Sequence, residues 1–395
     1  MEQASDIMSY PKPTLSVREK ASLALRLLFL APITLPFNIL RASLLASSHG
    51  LNPFRYFPTV GINRTILTVL TPRQAQAILP SCITSYKSFL STIQKKQPSN
   101  NDFFPLVIDP IPNCTTGASL LWLGNRHTAK KVILLIHGGG YYLPFYAGHL
   151  EWGFHLLRTL STPGGDPDVA VAMLDYSLAP ASVYPTQLTE ASLALKYLLS
   201  MKETAPGDLL IGGDSAGGNL TAQLMSHLVH AHPKVEKVEL SEPLAGMFLV
   251  SPWVKGALGE IDGRSSWVEN KRSDMLTLEI LRGLEVMAFG GKSGWEEEKI
   301  QGKGWGLPLD GAEGWLKGVE GVVKSVYVQV GAMEVMRDQG VEFARQLEGE
   351  NGELEVRLDV LAGQAHEFVV LESAAGEGGK ATEGMDEWAR LAFEM

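Results

Sequence analysis

The sequence predicts an α/β domain with a mostly parallel, doubly wound sheet and helices on both faces. Three observations predict it. First, short apolar runs recur from residue 119 onward: "SLLWL", "VILLI", "VAVAML", "DLLIG", "GMFLV", "SVYVQV" and "LEVRLDVL". Continuous apolar runs of this length suit strands buried on both faces, as in a parallel sheet. Second, helical patterns lie between them; in residues 186–202, Leu188, Ala191, Leu195 and Leu198 fall on one face. Third, strands alternating with helices form βαβ units. Right-handed crossovers then bring the carboxyl ends of the strands to one edge, where ligands bind.

The elements follow in chain order. Residues 1–105 read as a helical cap or membrane-surface segment, densely punctuated by proline, with short helices in "TPRQAQAILPS" and "SYKSFLSTIQKK". Within it, residues 21–47 are strongly apolar, but Arg26, Pro32, Pro36 and Arg41 interrupt them. A membrane-spanning helix wants about 20 uninterrupted apolar residues. The stretch therefore reads as an amphipathic cap or surface segment, ahead of a signal anchor and of a cleaved signal. Location in the cytoplasm, or peripheral to or anchored at an intracellular membrane, is favoured over secretion. The N-x-[ST] triplets at Asn63, Asn113 and Asn219 are too short a pattern to argue otherwise. The polar loop "KKQPSNND" closes this region, and residues 106–395 form the α/β domain. Two stretches fall outside the alternation: residues 290–321, rich in glycine and tryptophan, and residues 372–395, read as a flexible acidic tail ending in a short helix.

Composition narrows the function classes. With 45% hydrophobic and 19% charged residues in 395, the chain has material for a large core. Its formal charge of −9 argues against a nucleic-acid partner, which needs a basic stripe. Cys82 and Cys114 are too few for a disulfide framework and lack metal-ligand spacing.

The chemistry sits in "DLLIGGDSAGGNLTAQLMSHLVHAH". An apolar strand meets Gly213-Asp214-Ser215-Ala216-Gly217 and a helical pattern follows, which is G-x-S-x-G between a strand and a helix. That turn is so tight that its flanking residues must be small, and it lifts the serine hydroxyl above the sheet. Upstream, "VILLIHGGGYY" places three glycines directly after a strand. Serine attack on an acyl carbonyl creates an oxyanion that needs preorganised donors. Backbone amides of Gly139 and Gly140, with Ala216, supply them if no side chain obstructs the approach. His137 and Gly138 are read as support for that loop.

Serine needs a base and a group to orient it. His227, His230 and His232 lie on or just after the helix behind the serine and read as surface residues. His366, in "LDVLAGQAHEF", follows a strand and is the candidate base. The acid should follow the preceding strand, where Glu334 and Asp338 are the candidates and Glu334 lies nearer the strand end. Tyr141, Tyr142, Phe145 and Trp253 are candidate walls of a substrate pocket.

"HGGGYY", "DYSLAP" with "YPTQL", "GGDSAGGN", "SPW", "SDMLT" and "AHEF" occur in one order. On these motifs the chain resembles the hormone-sensitive lipase-like family of α/β-hydrolases over residues 131–370. The resemblance implies an α/β-hydrolase fold with an N-terminal cap. It also implies a carboxylic-ester hydrolase with a Ser215–Glu334–His366 triad, a small-molecule ester as partner, and neither cofactor nor metal. The family usually places aspartate where this chain has Glu334. Three other readings keep the fold: an enzyme processing a natural-product intermediate, for instance by deacetylation; a non-catalytic small-molecule binding protein; and a lipase working at a membrane surface through residues 21–47.

Overall fold

A computed structural model describes residues 12–48, 50–52, 54, 57–96, 104–161, 168–201, 204–258, 263–290, 295–376 and 379–395. The N-terminal region is helical. α1 (Val17–Leu25) opens with a capping box between Ser16 and Glu19. It continues through one π-helical turn (Arg26–Leu30) into α2 (Ala31–Ser48). The expectation that Pro32 and Pro36 interrupt this stretch is not met: Val17–Ser48 is one helix of 32 residues, long and apolar enough to cross a membrane. The widened turn just before Pro32 absorbs the missing amide donor. α3 (Phe57–Val69) packs on α2, with Gly61 against the backbone of Ile39 and Asn38 Nδ2 donating to Thr65 Oγ1 at 3.0 Å. α4 (Pro72–Ile78) and α5 (Cys82–Lys96) fall where the sequence predicts them.

One eight-stranded sheet follows: β1 (Ile108–Pro110), β2 (Ser119–Leu123), β3 (Lys131–Ile136), β4 (Val169–Asp175), β5 (Leu209–Asp214), β6 (Leu244–Val250), β7 (Val323–Gly331) and β8 (Glu355–Leu361). The order is β1-β2-β4-β3-β5-β6-β7-β8; β2 pairs antiparallel with both β1 and β4, and every other pairing is parallel. Side chains alternate across it: Val132, Leu134 and Ile136 join one core, Ile133 and Leu135 the other. The connecting helices are α6 (Ala147–Leu160), α7 (Thr186–Ser200), α8 (Ala216–Val229), the short α9 (Ser266–Glu269), α10 (Leu278–Ala288), α11 (Trp295–Ile300), α12 (Arg337–Glu350), α13 (Phe368–Ala374) and α14 (Lys380–Ala392).

Three expectations are corrected. β8 is an edge strand with half-buried residues, not one covered on both faces, because no strand pairs beyond it. Residues 372–395 are not a free tail: α14 lays Ala381, Met385, Trp388, Ala389 and Ala392 on the sheet. Their helical spacing was masked by the surrounding glycines and acids. His227 and His232 are buried, not surface residues, with His227 Nε2 3.1 Å from Glu236 O and His232 Nε2 3.2 Å from Glu298 Oε1. In the Gly/Trp-rich connection, Trp305 and Trp315 cover that side, against His232 and His230.

Candidate active site

Ser215 occupies the turn between β5 and α8 at φ 51°, ψ −113°. A Cβ at Gly213 or Gly217 would lie 1.9 Å or 2.0 Å from Ile136 O, so the motif glycines are required by backbone contact with β3. The Ser215 amide donates to Val250 O at 2.8 Å, which ties the turn to β6. α8 begins directly behind the hydroxyl, and its dipole favours negative charge there.

His366 reaches the serine from the loop between β8 and α13. Its Nε2 lies 2.8 Å from Ser215 Oγ, and its Nδ1 lies 3.4 Å from Glu334 Oε2, on the loop after β7. All three side chains are buried. Of the two acid candidates, Glu334 meets His366. Asp338 instead accepts from Ser266 N at 2.7 Å and pairs with Arg337 in the first turn of α12. Asn270 Nδ2 donates to Glu334 O, and Asp274 accepts from Val335 N at 2.6 Å, so residues beyond β6 hold the acid loop.

Burial by itself would depress the His366 imidazole. The Glu334 contact and the charges of Asp274 and Glu367 override it and lift the imidazole to about 9. The Glu334 carboxyl is raised by burial, with the His366 contact offsetting part of that. Burial pushes the His137 imidazole down to about 3, which leaves it neutral. It stacks on Tyr176 at 4.3 Å, its Nδ1 lies 2.7 Å from Gly138 O, and Tyr176 donates to His137 O. His137 thus supports the glycine loop and stands apart from the serine's proton.

That loop runs through left-handed backbone at Gly139 (φ 102°), Gly140 (φ 59°) and Tyr141 (φ 63°). Gly139 and Gly140 line a cavity of about 590 Å³ together with Ser215, His366, Phe145 and Trp253. The amides of Gly139, Gly140 and Ala216 donate no hydrogen bond to another described residue outside the regular elements. Gly138 N donates to Asp214 Oδ1 at 3.0 Å, which links the loop to the residue before the serine.

Tyr141 and Tyr142 do not line this cavity, against expectation. After the left-handed turn, Tyr141 OH donates to Asn219 Oδ1 at 2.5 Å behind the loop, and Tyr142 faces a separate groove beside α10. Asn219, one of the three N-x-[ST] positions, is fully buried in α8. The N-terminal region supplies one side of the cavity wall: Thr84, Ser88, Thr92 and Lys96 follow one face of α5, and Ile66 and Leu67 come from α3. At 1.5 Å rise per residue, Thr84 to Lys96 spans about 18 Å.

The sequence reading assigned no role to a further group of buried polar residues. His149 Nε2 lies 3.4 Å from Asp214 Oδ1. Burial opposes charge on both. The pairing prevails, holding the aspartate below its usual range and the imidazole above its own. Glu367 lines the cavity beside His366, and burial, with the charge of Asp214, pushes its carboxyl up to about 7.

A mostly parallel sheet with a serine turn between β5 and α8, and with the histidine and acid loops after β8 and β7, defines an α/β-hydrolase. The chain belongs to the alpha/beta hydrolase fold family, whose model matches residues 133–370. It is similar to an esterase of Acinetobacter venetianus, 25% identical over 263 residues, covering 66% of this chain and 75% of the relative. It is 28% identical over 116 residues to mouse neutral cholesterol ester hydrolase 1, covering 28% of this chain and 27% of that one. The match to that mammalian relative thus spans about a quarter of its length. An esterase from the bacterial hormone-sensitive lipase family shares the fold with a TM-score of 0.57 at 19% identity, covering 86% of this chain and 97% of that one.

Proposed function

We propose that the protein is a serine carboxylic-ester hydrolase acting on an apolar ester through Ser215, His366 and Glu334. The observation that carries this is the 2.8 Å approach of His366 Nε2 to Ser215 Oγ at the floor of an apolar cavity. His366 Nε2 takes the serine proton as Oγ attacks the ester carbonyl. Glu334 holds the imidazole through Nδ1 and stabilises the imidazolium. The oxyanion rests on the amides of Gly139, Gly140 and Ala216, which the bare loop and the α8 N-terminus make available. His366 then protonates the leaving alcohol, and water releases the acid by the reverse path. The names of the relatives, an esterase and a cholesterol ester hydrolase, support this reaction class.

Labelling with an organophosphorus probe followed by peptide mass spectrometry tests the assignment. Ser215 carries the label, and Ser215→Ala abolishes it and lowers kcat for p-nitrophenyl butyrate by about 10⁴-fold or more. Labelling at another residue, or full activity in Ser215→Ala, refutes it.

A second reading concerns residues 1–105 as a cap that rests on a membrane surface. Leu28, Phe29, Ile33 and Phe37 are each about two-thirds exposed on the Val17–Ser48 helix. The opposite side stays against α3 and α4 of the same region: Arg73 pairs with Glu19, Arg26 Nη1 donates to Val69 O, and Ala42 and Ala46 are buried. A helix tied to α3 and α4 on one side and apolar on the other suits a surface position better than a spanning one.

A further inference from the structure

Glu367 is costly where it stands. It holds left-handed backbone at φ 60°, ψ 26°, a region that suits glycine and strains other residues. The residue is 6% exposed, so its carboxyl has also lost nearly all of its water. A glycine would avoid both penalties. Strain and a desolvated carboxyl persist where the site uses them.

Its position indicates the use. Glu367 Oε1 lies 3.9 Å from His366 Nε2, the nitrogen that also faces Ser215 Oγ at 2.8 Å. Both residues line the cavity. Two acceptors 3.9 Å apart leave room for one oxygen within hydrogen-bond distance of both. The groups around Glu367 are Asp214, His366, His149, Asp274, Tyr142 and Tyr146; the Tyr146 hydroxyl faces the carboxyl as a donor, which leaves the second carboxyl oxygen for the cavity, and none of the six is a lysine or arginine.

We propose that Glu367 positions the deacylating water, accepting its second hydrogen while His366 Nε2 accepts the first. This rests on the serine-hydrolase reading above. In the acyl-enzyme, the water oxygen attacks the acyl carbon as one of its protons passes to Nε2. The other O–H stays bound to Glu367. As the tetrahedral intermediate collapses, the C–Oγ bond breaks and Nε2 returns its proton to Oγ. Atoms and charge balance without any further reactant. Water has two hydrogens to give and an alcohol has one. Glu367 therefore makes the acyl-enzyme select water over alcohols, and so hydrolysis over transesterification.

The test is the partition of one acyl-enzyme. p-Nitrophenyl butyrate is turned over in methanol–water mixtures at alkaline pH, where the carboxyl is ionised, and butyric acid and methyl butyrate are counted. Both products come from the same intermediate, so their ratio is independent of the fraction of folded enzyme. Glu367→Gly and Glu367→Met lower the acid-to-ester ratio about three- to tenfold, the worth of one hydrogen bond. Glu367→Gln keeps an acceptor oxygen and retains most of the ratio. Acylation, read as kcat/KM for nitrophenol release on the plateau above the His366 limb, changes less than the ratio. Glu367→Gly relieves the left-handed strain and so keeps the test available if the methionine variant does not fold. An unchanged ratio in Glu367→Gly overturns the proposal, as does an equal loss in the glutamine and methionine variants. Absence of nitrophenol release from the wild-type enzyme would instead refute the serine-hydrolase reading itself.

Discussion

Asp214 joins the two halves of the candidate site, and its removal should be felt in both stability and rate. Its carboxylate is fully buried, accepts from Gly138 N at 3.0 Å and lies 3.4 Å from His149 Nε2. Asp214→Ala leaves a buried amide without an acceptor and a buried imidazolium without its counter-charge. Breaking a buried pair from one side costs about 3–5 kcal/mol, a large part of a typical total of about 5–15 kcal/mol. Gly138 also precedes Gly139, so a freed Gly138 lets the proposed oxyanion donors drift. Loss of one such donor costs about 10²–10³ in kcat. Asp214→Asn keeps an acceptor for Gly138 and loses only the charge, so its stability cost is about 1–2 kcal/mol.

The pH dependence of the same variants separates the two partners. Asp214 is depressed in the folded state, so its contribution holds above the ordinary carboxylate range and is lost as pH falls through the folded value. His149 is raised, so its contribution is complete below 6.5 and is lost as pH rises through its folded value. Wild type should therefore lose stability on the alkaline side, and Asp214→Asn should lose much less. Urea unfolding followed by tryptophan fluorescence at about pH 6 and about pH 9, with p-nitrophenyl butyrate kinetics, reads both effects. An Asp214→Ala variant within about 1 kcal/mol of wild type, with undiminished kcat, refutes the coupling of loop and nucleophile.

Other predictions follow from the same contacts. With His366 raised to about 9, kcat/KM should climb with pH up to that value, because only neutral imidazole accepts the serine proton. Glu334→Gln should move this limb to lower pH while lowering its plateau, and a profile flat from about pH 7 upward contradicts the assignment. Trp388 is buried, stacks on Tyr327 at 5.5 Å and donates to Ser325 Oγ at 2.8 Å. Trp388→Ala should cost about 3–5 kcal/mol in urea unfolding, whereas a loosely attached tail would give almost nothing. Replacing Leu28, Phe29, Ile33 and Phe37 together by serine should abolish co-sedimentation with phosphatidylcholine vesicles while sparing hydrolysis of short soluble esters. Unchanged sedimentation rules out the surface role.

The parts legible in the sequence are those whose cause is local. Ser215 is flanked by glycines because β3 passes within 2.0 Å of where a Cβ would stand, and that constraint is written into five consecutive residues. The same holds for Gly139 and Gly140, whose left-handed backbone needs no distant partner to explain it. The directions of Tyr141 and Tyr142 are not legible, because adjacency to the loop says nothing about direction once three successive residues turn left-handed. The α14 pattern is present in residues 381–392, but its burial depends on β6 and β7, far earlier in the chain. Asp338 and Glu334 differ by about one helical turn; only the fold shows that Asp338 is occupied by Ser266 and Arg337.

The least legible part is the charge of the site. Asp214 at the end of β5, His149 in α6, Asp274, Glu334 and the adjacent His366 and Glu367 come from five separate parts of the chain, yet all are buried around one serine. Fully ionised, they would place four carboxylates against two imidazoliums without a lysine or arginine among them. Burial resists that imbalance. It raises Asp274, Glu334 and Glu367, while the carboxylates in turn raise His149 and His366. The basicity of His366 is therefore a property of the whole group and not of its contact with Glu334 alone. On this account Glu367→Gln, which removes a charge but leaves Glu334 in place, should also draw the alkaline limb of kcat/KM to lower pH. A limb that moves with Glu334→Gln and stays fixed in Glu367→Gln would show that the imidazole answers to a single carboxylate.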